Sequence, residues 1–235
     1  MVLAVLQART ASTRMPGKVM APICGEPMIW RQLERIRVAR SLSKIVVATT
    51  DEPSDDGLSA FLLGRGCSVH RGPFSDVLGR FAHCVEAWDA SHVVRLSADC
   101  PLVDPQLIDA AVALALKTGS DYVGNLEQRT YPAGLEVEVI AAPAVVIAQR
   151  EARDAEDRAD PTRFVRERPD RFTHACLTQG RDLSKLRWSV ERPEDFAFVR
   201  AAFEALRPAD PGFGMNDVLE LLARRPDLAP RARAA

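Results

Sequence analysis

Short apolar runs alternate with amphipathic helical patterns through residues 1–123, and that rhythm leaves the chain very few folds. Val2–Leu6, Lys44–Thr49, Ser68–His70, His92–Leu96 and Asp121–Val123 read as brief, mostly buried strands. Helical patterns fill the gaps at Pro27–Arg40 and at Asp55–Arg65, which Gly66 stops. The stripe Val77, Leu78, Phe81, Val85 and Trp88 follows a Ser75-Asp76 cap, and Pro105–Lys117 opens on proline, where the missing N–H costs nothing. This order predicts an α/β, doubly wound, mostly parallel sheet with right-handed crossovers. A chain of 235 residues fits one medium domain with a small appendage.

From Tyr131 the pattern changes. Leu135–Ile140 alternates apolar and acidic residues, as a half-buried strand does. Ala144–Ala155 reads as a helix, Arg150–Arg171 as a solvated, self-paired run of both charge signs, and Thr173–Leu177 as a strand. Such elements do not easily extend a fully covered parallel sheet. Residues 126–180 are therefore assigned to a protruding α+β arm that packs on a second subunit in a dimer, with a local hairpin plus helix as the plainer reading. Leu186–Val190 returns as a strand, followed by helices at Pro193–Leu206 and Asn216–Arg224, the last capped by Asn216. Residues 1–125 and 181–225 make the core, and 226–235 a fraying tail.

The formal charge of −1 excludes a broad nucleic-acid or anionic-membrane footprint. Cys24, Cys67, Cys84, Cys100 and Cys176 form no C-x-x-C pair, which predicts reduced thiols and neither a zinc site nor a disulfide framework. The four histidines have no metal spacing, and Cys100 reads as a small turn residue. Without a basic leader or a membrane-length apolar run, the chain is expected to be cytoplasmic and off the membrane.

The first strand empties into Gln7–Lys18, a loop with three cations and no acid. Its small residues, Ala8 and Ser12 among them, let backbone N–H groups approach a ligand, and Pro16-Gly17 forces a turn. Arg9, Arg14 and Lys18 are placed to converge on a polyanion at the carboxyl edge of the sheet, against the alternative of a solvated basic loop. The Gly-x-x-x-x-Gly-Lys-[Ser/Thr] pattern is absent. Asp99 directly follows a buried strand, where a carboxylate wants a cation, and Mg²⁺ with phosphate and water is the natural partner. Glu191 sits similarly before Pro193. Capping or turn roles are the competing readings for both. Together with three loop cations the two carboxylates suit a nucleoside triphosphate and its metal.

The opening loop resembles the Ala-Arg-x-x-Ser-x-Arg-x-x-x-Lys segment of the cytidylyltransferases that make CMP-activated sugar acids. The chain is most similar to the spore-coat polysaccharide biosynthesis protein F group of that superfamily. Gln7–Val19 matches the group's start, and Asp76–Phe81 resembles its Asp-Val-Leu-x-Arg stretch. Ala98–Pro105 resembles its Gly-Asp-Cys-Pro-Leu-Ile-Asp-Pro turn, Tyr131–Val139 its Pro-x-Gly-Leu-Asp-Val-Glu-Val segment, and Arg187–Asp195 its Arg-x-Thr-Val-Asp-Thr-Pro-Glu-Asp. The likeness runs through residues 2–205.

The resemblance implies a Rossmann-like, GT-A-like nucleotidyltransferase fold. It implies Arg9, Ser12, Arg14 and Lys18 around the triphosphate of CTP, with Ala8 beside them, Arg71 near the nucleotide, and Ser97 and Ala98 near the cytosine edge. Asp99 becomes the principal Mg²⁺ ligand. Glu191 is the second metal-side carboxylate, one methylene longer than the family's aspartate, and Glu136 is another Asp-to-Glu change. Asn125, Tyr131, Glu136 and Glu138 are the acceptor-side candidates, with plain strand residues at the arm's base as the alternative. The implied reaction is in-line attack of an acidic sugar's hydroxyl on the α-phosphate, pyrophosphate leaving, in a cytoplasmic homodimer that binds no nucleic acid. Alternatives are a nucleotidyltransferase using another triphosphate or a sugar phosphate, and a non-catalytic nucleotide-binding protein. A glycosyltransferase is disfavoured, since no Asp-x-Asp closes the fourth strand.

Overall fold

The opening apolar run is a strand, β1 (Val2–Gln7), and it lies inside the sheet because it shows nothing polar on either face before Gln7. Val2, Ala4 and Leu6 enter one core, Leu3 and Val5 the other. Each fully buried leucine or valine contributes about 1.5–3 kcal/mol. The computed structural model describes residues 1–229. After β1 come a small antiparallel pair, β2 (Pro22–Ile23) and β3 (Glu26–Pro27), then α1 (Met28–Ile36), β4 (Lys44–Thr50) and α2 (Asp56–Gly64). The chain continues through β5 (Ser68–Gly72), α3 (Val77–Ala87), β6 (His92–Ser97), α4 (Pro105–Thr118) and β7 (Tyr122–Gly124). Neighbours in the order β5-β4-β1-β6 pair in parallel, as the alternation predicts. Asp76 caps α3 by accepting the Gly79 N–H (2.9 Å), and Asp104 caps α4 by accepting that of Gln106 (2.8 Å).

Beyond β6 the sheet turns mixed. Its full order is β5-β4-β1-β6-β8-β7-β9, where β8 (Glu138–Ala141) runs antiparallel to both neighbours and β9 (His174–Cys176) parallel to β7. This corrects the expected arm: residues 126–180 supply two strands of the central sheet instead of standing apart from it. The alternation at Leu135–Ile140 misled because its polar member Glu138 is fully buried, so β8 has no solvent face. The helices α5 (Ala142–Glu151), α6 (Ala155–Ala159) and α7 (Arg163–Arg166) follow β8, and both α5 and α6 pack on α3. The 150–171 run is self-paired, but not merely solvated: Asp157 is buried under Arg163 and Arg168.

Helices α8 (Pro193–Leu206) and α9 (Met215–Arg224) join α1, α2 and α4 over one face, while α3, α5 and α7 cover the other. Leu186–Val190 is not a strand. Only Arg187 bridges, to Ala133, because this segment leaves the sheet to bond Asp99 and Ala133 instead of a full neighbouring strand. Gly134, at φ +104°, makes that contact possible: a Cβ there would lie 2.4 Å from the Ser189 nitrogen and 2.6 Å from the Trp188 carbonyl carbon. Asn216 does not cap α9; Gly214 precedes the helix, and its N–H goes to Asp217 (2.7 Å). Pro226–Leu228 is a 3₁₀ turn, and the expected fraying from residue 230 onward lies outside the described residues. All five cysteines are free thiols, and among the described residues no helix is long and apolar enough to cross a membrane.

Candidate active site

At the carboxyl edge of the sheet two cavities open side by side. The smaller, of about 290 Å³, is walled by the loop after β1. Ala8 is fixed by its N–H to the Ala48 carbonyl (3.0 Å), and the loop closes on itself where the Gly17 N–H reaches the Thr10 carbonyl (2.9 Å). Gly17 takes φ +71° and starts the 3₁₀ turn that carries Lys18, so the Pro16-Gly17 turn is real. Ala8, Arg9, Ser12, Arg14 and Lys18 all line this cavity, together with Ser97, Ala98, Asp99 and Glu191 from the far side. Arg9 rests over the Phe74 ring, its guanidinium carbon 4.7 Å from the centroid, and Arg14 pairs with Glu191.

Arg71 is elsewhere. Its guanidinium donates to the Thr50 (2.9 Å) and Glu52 (3.0 Å) carbonyls and pairs with Asp56 (2.6 Å), so it clasps the ends of β4 and α2 and does not line the loop cavity. The place expected for it is filled by Arg80 of α3, only 2 % exposed, whose Nε and Nη1 have no hydrogen-bond partner. Burial, and next the nearby Arg9, lowers the Arg80 pKa. Gln7 adds a buried side-chain oxygen, likewise without a partner, to the same cavity.

Three segments meet at Asp99. Its carbonyl accepts the Val190 N–H (2.7 Å), Lys18 Nζ donates to the Val190 carbonyl (2.6 Å), and that ammonium lies 4.0 Å from the Asp99 carboxylate. Gln32 of α1 braces the turn by donating to the Ser97 (2.7 Å) and Cys100 (3.0 Å) carbonyls. Glu191 is held by its backbone N–H on Asp195 (3.0 Å), and its carboxylate lies between Arg14 and Arg187. Among the described residues no group of three or more His, Cys, Asp or Glu side chains could hold a metal. A hard cation that keeps phosphate and water in its shell needs only one or two protein carboxylates, and the oxygens of Asp99 and Glu191 on one cavity wall fit that donor set. Burial, then the charges of Asp99 and Glu136, push the Cys100 thiol well above its ordinary pKa, which disarms it as a nucleophile.

The larger cavity, of about 850 Å³, shares Ser97, Asp99 and Glu191 with the first. Glu136 and Glu138 line it, but Asn125 and Tyr131 do not. Asn125 is a staple, donating to the Leu135 carbonyl (2.8 Å) and accepting the Val137 N–H (3.0 Å), and Tyr131 packs against the core. Glu136 accepts the Gly134 N–H (2.7 Å) and lies 3.7 Å from Arg129. Glu138 accepts from Tyr122 (2.8 Å), Thr162 (2.7 Å), Arg95 (3.0 Å) and Arg166 (3.1 Å), which leaves it little capacity for a ligand. The donors that remain are Arg95 Nε, Arg187 Nη1 and Trp188 Nε1, all buried and without a hydrogen-bond partner. Their signals in the sequence were faint: an arginine inside the apolar run His92–Leu96, another inside the stripe of α3, and Arg187-Trp188 just ahead of Glu191.

The cytidylyltransferase family model matches residues 3–210. The spore coat polysaccharide biosynthesis protein SpsF of Bacillus subtilis is 30 % identical over 99 % of this chain and 98 % of its own. A 3-deoxy-manno-octulosonate cytidylyltransferase of Geobacter metallireducens is 34 % identical over 54 % of this chain and 50 % of its own. Among solved structures, a cytidylyltransferase from Leptospira borgpetersenii superposes with a TM-score of 0.93 at 26 % identity, covering 100 % of this chain and 98 % of that one.

Proposed function

The chain belongs to the cytidylyltransferase family, CTP-using nucleotidyltransferases, and from that premise we propose that it transfers CMP from CTP to an acidic sugar of the nonulosonic type, releasing pyrophosphate, for surface glycan synthesis. The reading is carried by the chemistry of the buried side-chain atoms that lack partners. In the loop-side cavity these are two donors on Arg80 and one acceptor on Gln7. Cytosine presents the complement, a ring nitrogen and a carbonyl oxygen as acceptors beside an amino donor, whereas uracil puts a donor and an acceptor in the wrong places. In the larger cavity all three are N–H donors, so the missing ligand offers acceptors, as a carboxylate does.

Arg9, Arg14 and Lys18 take the β- and γ-phosphates, Arg9 leaving Phe74 and Arg14 leaving Glu191. The acceptor hydroxyl attacks the α-phosphorus across the shared wall and gives its proton to solvent, a new sugar–oxygen–phosphorus link forms, and the bond to the β-phosphate breaks. The cations stabilise charge growing on the departing pyrophosphate, so the protein contributes positioning and electrostatics. Asp99, with Glu191 behind it, would hold Mg²⁺, which supplies neutralising charge at the phosphates when bound. The test is pyrophosphate release with each ribonucleoside triphosphate and a panel of nonulosonic acids, 3-deoxy-manno-octulosonate included. Release is expected only with CTP and an acid. Turnover of UTP with sugar phosphates, or CTP binding that stays silent across the panel, sinks the proposal.

A further inference from the structure

Between Ala8 and Gly17 the loop forms no regular element, yet its first turn is fastened from outside by one carboxylate, with the Ser54 carbonyl also within reach of the Thr10 hydroxyl (2.9 Å). Asp55, fully buried in the 3₁₀ turn ahead of α2, accepts the Thr10 backbone N–H (2.7 Å) and hydroxyl (2.6 Å) on Oδ1. Its Oδ2 accepts from the Thr49 hydroxyl (2.9 Å), the Thr50 N–H (3.2 Å) and the Thr50 hydroxyl at the end of β4. A buried carboxylate without a salt bridge is expensive to keep, and here hydrogen bonds hold it ionised with the Arg80 charge nearby. Burial would raise its pKa, but the donors of Thr10, Thr50 and Thr49 outweigh burial and bring it below the ordinary value.

A negative charge so close to a site for polyphosphate works against the ligand unless it does something for the loop. What it holds is the residue directly after Arg9, and it holds that residue by the main chain. We propose that Asp55 is a positioning residue, which sets the Arg9–Thr10 turn before any ligand arrives, so that the loop's N–H groups and cations already stand at the cavity. Ordering is then completed on folding and does not weaken binding. The effect on affinity rests on the nucleotide reading above; the effect on the loop does not.

Two variants of the full chain test this. Asp55→Asn keeps the shape but replaces one accepting oxygen with a donor, and Thr10→Val, at a half-exposed position, removes the hydroxyl with little other change. Hydrogen exchange of the ligand-free protein is expected to show the hydrogen-bonded loop amides of residues 10 and 17 exchanging at least about tenfold faster in both variants, with those of β1 unchanged. Calorimetry should show the Kd for CTP raised about tenfold or more in both, with kcat at saturating CTP within about threefold and Thr10→Ser restoring the wild-type Kd. Unchanged exchange in the loop overturns the proposal. So does faster exchange spreading through β1 and β4 with the CTP affinity unmoved, which makes Asp55 structural only. If the wild type binds no CTP, the nucleotide reading falls while the exchange measurement still decides the pin.

Discussion

The two cavities that meet at Asp99 manage charge in opposite ways. On the loop side two of the cations are held lightly, Arg9 over an aromatic ring and Arg14, 55 % exposed, on one carboxylate, while Lys18 is tied to the Val190 carbonyl. On the sheet side they are committed, Arg95 and Arg166 both fixed on the buried Glu138 and Arg166 also on Asp160 (2.9 Å). Burial lowers and these carboxylates raise the Arg95 and Arg166 pKa values, and the carboxylates prevail. Under the proposed reaction a triphosphate must displace something, so the loop side keeps cations that can move. An acidic sugar, on the same proposal, must be discriminated, so the sheet side spends its charges on rigidity and leaves a few N–H groups to read it.

Glu138→Gln attacks this contrast hardest. Arg95 loses its counter-charge and Arg166 keeps only Asp160, and a loss of about 3–5 kcal/mol is expected in denaturant unfolding, with CTP affinity little changed. An unaltered midpoint would show that the sheet-side charges are not committed at all. Asp99→Asn, at the junction, is expected to lower kcat by about 10²–10³, by analogy with a lost transition-state contact, while leaving the fold intact under thermal unfolding. Arg80→Lys keeps a cation but loses the fork. The Kd for CTP should rise about 10- to 100-fold and that for UTP much less, and equal losses would remove Arg80 from base selection.

The smallest effect is on pH. His70 stacks on His83 (4.2 Å between centroids) behind Arg80, and burial, then the charges of His83 and Arg80, lowers its pKa. A group harder to protonate folded than unfolded adds stability that is complete above about pH 6.5 and is lost as pH falls through its folded value. His70→Gln should therefore flatten the decline of stability below that pH, measured against wild type in urea titrations. A parallel decline assigns the slope to other groups, His92 among them, whose pKa burial also lowers.

The loop side was legible because it is local. β1 and its loop are one unbroken stretch and β6 with its turn another, and each strand end carries its own chemistry to one edge. The sheet side is assembled from β6, β8, α7 and residues 185–191, which meet only in three dimensions. A buried acid with two arginine partners reads in sequence like an exposed one, which is how Glu138 passed for a ligand group and β8 for the start of an arm. Arg71 and Arg80 illustrate the same limit: in the sequence Arg71 reads as the cation near the nucleotide and Arg80 only as part of the α3 segment, and only the carbonyls around Arg71 show that it is spoken for.

One hydrogen atom at Gly134 has a long reach. Because no methyl group intervenes, the stretch before Glu136 lies directly on Trp188 and Ser189, and Trp188 is two residues from Val190, whose N–H is tied to Asp99. The strip beneath the larger cavity and the turn that carries Asp99 are in effect one plate. An alanine there would not merely crowd a turn; under the proposed reaction it would shift the acceptor's platform out of line with the phosphorus it must reach.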